Sequence, residues 1–88
     1  MNQEETLFEF PCQFPIKAMG KKESALTELV VAIINRHEAL IFHETITTRL
    51  SKGGNYLAVT ITIEATSKKQ LDAIYQGLSD HPDVLVAL

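Results

Sequence analysis

Eighty-eight residues make one domain with a single modest core. Eight Lys and Arg against eleven Asp and Glu leave a formal charge of −3, which speaks against a nucleic-acid binder with its usual basic face. One cysteine, Cys12, excludes an internal disulfide, and the longest apolar run, residues 29–34, is far shorter than the roughly 20 residues that a membrane-spanning helix needs.

Residues 1–6 are polar and acidic and lack the basic-then-apolar order of a signal peptide, so a cytoplasmic location without membrane contact is expected. Leu7-Phe8-Glu9-Phe10-Pro11 reads as an extended arm, because Pro11 disfavours helix at Phe10. The expected division is an N-terminal arm over residues 1–12 and one domain over 13–88. Gln13 to Met19 alternates, with Phe14, Ile16 and Ala18 on one face, and predicts a first strand ended by Gly20. Pro15 fits there if its nitrogen starts the strand or faces outward.

Ser24 to His37 carries Leu26, Leu29, Val30, Ile33 and Ile34 at helical spacing, with Ser24 as the expected N-cap. Phe42 to Leu50 alternates again. Phe42, Ile46 and Leu50 fall on one face, and His43, Thr45, Thr47 and Arg49 on the other. So few apolar residues predict an edge strand. Residues 51–55 hold two glycines and read as a hairpin loop.

Asn55 to Ala65 is the strongest signal in the chain. Leu57, Val59, Ile61, Ile63 and Ala65 form an oily face, while Tyr56, Ala58, Thr60, Thr62 and Glu64 form a polar one. Such a strand buries one side under helices and leaves the other available to water, a ligand or another subunit. A second helix opens at residues 66–70, where Ser67 with Gln70 matches a capping box, and its stripe is Leu71, Ile74, Tyr75 and Leu78. Val84 to Leu88 closes the chain as a short strand with Val84, Val86 and Leu88 on one face.

The order strand, helix, strand, strand, helix, strand is the ferredoxin-like βαββαβ arrangement of an α+β protein. Right-handed crossovers put both helices on one face of a four-stranded antiparallel sheet ordered 4-1-3-2. Tyr56, Thr60, Thr62, Thr45, Thr47, Leu85 and Ala87 are then expected on the open face. Of these, Thr45, Thr47, Tyr56, Thr60 and Thr62 are the candidate interaction face.

Phe8-Glu9-Phe10-Pro11, Phe14-Pro15-Ile16-Lys17-Ala18-Met19-Gly20, Arg36-His37 and Lys52-Gly53-Gly54-Asn55-Tyr56 ahead of Val59-Thr60-Ile61-Thr62-Ile63 resemble the YbeD family of small bacterial proteins. The resemblance runs from about Leu7 to Leu88. It implies a fold similar to ACT domains, the ligand-sensing modules of amino-acid enzymes. Members of that family are described as uncharacterised or as lipoic-acid-binding regulatory proteins, and the resemblance brings both descriptions with it. In ACT-type pairs, ligands sit between modules near the first strand-to-helix turn, which by resemblance brings in Met19, Gly20 and Lys21.

The residues themselves offer further candidates. Lys17 falls on the open face or its rim, where it either pairs with a ligand carboxylate or balances Glu64 across strands. His37, His43 and His81 lack metal-ligand spacing, so no metal and no cofactor are expected. Cys12 lacks a recognisable base and oxyanion site, with only His37 able to approach it in space, so no catalytic residue is assigned. Residues 52–55 read as a tight turn more readily than as an anion nest, since the strand-loop-helix context of a phosphate loop is missing. One aromatic on the open face gives little for RNA bases to stack on. The expectation is a non-catalytic regulatory or binding module, homodimeric, that senses a small carboxylic ligand such as lipoate. The alternative is an interaction subunit that docks on a larger enzyme and binds no metabolite.

Overall fold

A computed structural model of the protein describes residues 9–88. Residues 1–8, which hold most of the expected arm, lie outside the described residues. The elements are β1 (Cys12–Lys21), α1 (Leu26–Arg36), β2 (Leu40–Ile41), a 3-10 turn (His43–Thr45), β3 (Thr47–Leu50), β4 (Tyr56–Ala65), α2 (Lys68–Asp80) and β5 (Val84–Ala87). All strand pairs are antiparallel. β4 pairs with β1 along its whole length, β5 borders β1 on the far side, and β2 and β3 share the remaining side of β4. With β2 and β3 taken as one interrupted strand, this is the ferredoxin-like 4-1-3-2 sheet.

Alternation built the core. Ile16 and Ala18 of β1 and Val59, Ile61, Ile63 and Ala65 of β4 are buried against Leu26, Val30, Ile33 and Ile34 of α1 and Leu71, Ile74 and Leu78 of α2. Each fully buried Ile or Leu contributes about 1.5–3 kcal/mol. No helix among the described residues is long and apolar enough to cross a membrane. Pro15 lies within β1, opposite Thr62. The Lys17 amide donates to the Leu88 carbonyl, and amide direction repeats every second residue, so the Pro15 nitrogen points past the end of β5, where no ladder partner is needed.

Four expectations need correction. The 42–50 strand is broken: the chain pairs at Leu40–Ile41, leaves the ladder in the 3-10 turn and rejoins at Thr47. Thr45 therefore sits in that turn rather than on the open face. Its hydroxyl donates to the Phe42 carbonyl at 2.6 Å and accepts from the Thr62 amide at 3.3 Å, so it replaces the lost strand partner of β4.

Ser24 does not cap α1. The helix begins after Ala25, and the Ser24 hydroxyl instead donates back to the Lys21 carbonyl at 2.7 Å. The last strand carries a bulge. Met19 faces Val86 but Gly20 faces Val84, which leaves Leu85 as the extra residue. One extra residue exchanges the faces beyond it. Val84 is buried, Ala87 packs on the core, and Val86 shares the open face with Met19, against the expected grouping of Val84, Val86 and Leu88 and the expected open-face places of Leu85 and Ala87.

The second cap is as expected. The Ser67 hydroxyl accepts from the Gln70 amide at 3.0 Å. The Gln70 side chain accepts from the Thr66 amide at 2.8 Å and donates to the His37 carbonyl at 3.3 Å, which ties the start of α2 to the end of α1.

Candidate functional site

The open face has a hollow, and its cause is the small side chain of Ala58. In register across β1, β4 and β3 stand Lys17, Thr60 and Thr47 in one row and Met19, Ala58 and Arg49 in the next. A methyl group between a methionine and an arginine leaves space above it. On the β3 side this is a groove of ≈ 410 Å³ lined by Lys17, Thr47, Thr48, Arg49, Ala58 and Thr60. On the β5 side a smaller apolar hollow of ≈ 110 Å³ is lined by Lys17, Met19, Ala58, Thr60, Val86 and Leu88, among others.

Lys17 belongs to both hollows, and its backbone is fixed. Lys17 and Leu88 exchange two hydrogen bonds, of 3.2 and 2.7 Å, and the Tyr75 hydroxyl also donates to the Leu88 carbonyl. The Tyr75 ring meets Phe14 edge-on, with centroids 6.4 Å apart and planes at 82°. Burial pushes the Tyr75 hydroxyl pKa up. Neither Lys17 nor Arg49 makes an ion pair among the described residues. Glu64, the expected cross-strand partner of Lys17, stands opposite Gln13 and Leu40. It is four residues from Thr60, about 13 Å along the strand, so that balance does not form.

The other predicted positions divide. Met19 joins Lys17 in the hollow. Gly20 is buried between Leu26 and the Asp83 carbonyl, with no side chain to offer. Lys21 lines a separate cleft of ≈ 340 Å³ at the β1–α1 turn with Glu23, Ser24, Pro82, Asp83 and Leu85. Thr47 and Thr60 line the groove, Tyr56 is exposed at its hairpin end opposite Lys21, and Thr62 lies one row further on, opposite Pro15.

Arg49, Ala58, Val86 and Leu88 are lining residues that sequence reasoning did not single out. Alternation groups Arg49 with Thr47 on that face without marking it as a lining residue. The bulge hid Val86. Gly54, at φ 77°, donates its amide to the Ser51 carbonyl at 2.8 Å, so that amide serves the hairpin turn. The histidines are apart: His37 follows α1, His43 lies in the 3-10 turn, and the His81 Nδ1 accepts from the Asp83 amide at 3.1 Å. No three His, Cys, Asp or Glu side chains converge among the described residues.

Comparison with known proteins gives this architecture a relationship. Residues 5–88 match the family described as protein of unknown function DUF493. The chain belongs to the DUF493 family. The resemblance to the YbeD-type proteins drawn from the short motifs therefore holds over nearly the full length. A UPF0250 protein of Paraburkholderia phytofirmans is 46% identical over 84 residues, 96% of this chain and 94% of that protein. UPF0250 protein NE1487 of Nitrosomonas europaea is 46% identical over 85 residues, 97% of this chain and 98% of that protein.

Two solved structures share the fold. The solution structure of protein HP0495 from H. pylori superposes with a TM-score of 0.73 at 13% identity, over 92% of this chain and 85% of that one. The ACT domain of the GTP pyrophosphokinase of Chlorobium tepidum does so with a TM-score of 0.68 at 14% identity, over 86% of this chain and 94% of that one. At such identities the likeness speaks for the fold alone, which is ACT-like.

Proposed function

We propose that this DUF493 protein is a non-catalytic, cytoplasmic regulatory module whose open sheet face binds a small carboxylic ligand with an aliphatic body, lipoate or octanoate in kind. The observation that carries the reading is the two-sided hollow over Ala58. Lys17 and Arg49 offer unpaired positive charge on one side, and Met19, Val86 and Leu88 offer apolar surface on the other. A carboxylate gains from the cations, and its hydrocarbon gains about 25 cal/mol for each Å² it removes from water. The ACT-like fold supports a sensing role, and we propose a homodimer as the working unit.

Titration calorimetry with lipoate, octanoate and a panel of amino acids tests this. Saturable binding of the aliphatic acids, lost in Lys17→Ala and weakened in Ala58→Leu, is the expected result. A blank across the panel overturns it. A gel-filtration mass of one chain overturns the homodimer.

A second reading has its own observation. Leu40, Leu50, Leu85 and Leu88 are each about half exposed or more and stand around the sheet rim. Exposed leucines in that number suit a subunit that docks on a larger enzyme without binding a metabolite.

A further inference from the structure

Four of the eight cations, Lys21, Lys22, Arg49 and Lys52, gather at the end of the sheet around the β3–β4 hairpin, and a fifth, Lys17, stands midway along β1 on the same side of the sheet as Arg49. Register explains the gathering. Lys17 and Arg49 flank neighbouring rows of β4, and Lys21 stands opposite Tyr56. The Lys22 amide donates to the Asn55 carbonyl at 3.1 Å, which sets Lys22 beside the hairpin loop that carries Lys52. The other three cations are Arg36, Lys68 and Lys69, all on helices, and Lys68 pairs with Asp72 at 2.9 Å.

The acids are distributed the other way. Among the described residues Glu64 is the one acidic residue in a strand, and it stands at the far end of β4. Glu23 and Asp83 bound the basic region where it meets the β1–α1 cleft. Among the described residues the charges of this chain of net charge −3 are thus separated.

We propose that the hairpin end of the open face docks an acidic, extended segment of a partner protein. Spacing is the reason for a segment rather than a lone anion. Lys17 and Lys21 are about 13 Å apart along β1, and Lys17 and Arg49, two strands and one row apart, are about 12 Å from each other. These separations exceed the screening length of about 8 Å in physiological salt, so each cation acts largely as its own site. A single carboxylate meets one or two of the cations. An extended chain sends a side chain to the same face about every 7 Å, so alternate acidic residues meet the cations in succession.

Thr47, Thr60 and Tyr56 lie among the cations and offer hydroxyls and an aromatic ring to that chain. A single-stranded nucleic acid fits less well. Its bases need stacking platforms, Tyr56 is the one aromatic at the hairpin end of this face among the described residues, and the net negative charge of the chain repels phosphate. This docking does not rest on the small-carboxylate reading, since Lys22 and Lys52 line neither hollow.

The test is fluorescence anisotropy with a labelled peptide of roughly twelve residues, long enough to span the basic region, in which Glu and Ser alternate. The expected result is saturable binding that falls about tenfold or more between about 50 and about 200 mM salt. The paired variant Lys22→Glu, Lys52→Glu is expected to lose about tenfold or more in peptide affinity while keeping octanoate binding and its melting temperature. The paired variant Arg36→Glu, Lys69→Glu is expected to bind the peptide as the parent does. Absence of saturable binding overturns the proposal. So does an equal loss in the Arg36, Lys69 pair, or tighter binding of an oligothymidylate of similar charge. Peptide binding without octanoate binding removes the small-ligand reading alone.

Discussion

The carbonyl oxygen of Asp83 lies 2.5 Å from the point where a β-carbon on Gly20 would stand. The turn before β5 is therefore seated directly on the backbone of β1, and Leu26 closes the other side at 3.1 Å. Backbone cannot give way as a flexible side-chain tip can. Gly20→Ala is expected to destabilise the fold by about 1–3 kcal/mol in urea unfolding. Gly53→Ala, which meets only the Asn55 side chain at 3.4 Å, is the matched control and is expected to change little.

The two serines at the helix starts make opposite predictions. The Ser67 hydroxyl accepts from the Gln70 amide, so Ser67→Ala is expected to cost about 1 kcal/mol. The Ser24 hydroxyl caps nothing and lies at the surface, so Ser24→Ala is expected to fall within about 0.5 kcal/mol of the parent. Chemical denaturation of the pair checks the difference.

Thr45 stands in for a strand. Thr45→Val keeps the shape but leaves the Thr62 amide without its acceptor, at an expected loss of about 1–2 kcal/mol and with faster hydrogen exchange at Thr62. Thr45→Ser keeps the hydroxyl and is expected to retain the slow exchange.

Glu38 follows α1 at φ 59°, a left-handed position that glycine occupies without strain. Glu38→Gly is expected to raise stability by about 0.5–1 kcal/mol, read as a higher denaturation midpoint.

Tyr75 sets an alkaline limit. Burial raises its pKa above the ordinary value of 10.0. The folded state thus holds the phenol proton more tightly than the unfolded chain does. The stability from this group is complete below about pH 10 and is lost as the pH rises through the folded value. Tyr75→Phe removes the proton and the bond to Leu88, so its unfolding free energy is expected to fall less steeply above about pH 10 than the parent's.

What could be read in the sequence follows from contrast between faces. β4 alternates isoleucine with threonine, and both helices carry clear stripes, so the layers and their order could be read directly. β5 is Val-Leu-Val-Ala, apolar on both sides, and a period of two leaves no mark there by which to place the bulge at Leu85. The break at residues 42–46 depends on a hydroxyl-to-amide bond across seventeen residues, and His43, Glu44 and Thr45 look the same in a strand as in a turn. Lys17 could be found because it is charged between Ile16 and Ala18. Ala58 could not, since a small side chain becomes a hollow only when Met19 and Arg49 are known to stand on either side.

The interrupted border along β4 also affects how these molecules meet in a crowded solution. Fibre growth depends on a long straight margin to which a stray strand can zip itself. One margin here is cut by the 3-10 turn into ladders of two and four residues, and the other is four residues long. Misplaced neighbours find too few consecutive partners to hold on, which lets a protein this small keep a bare, partly greasy sheet without turning it into a seed.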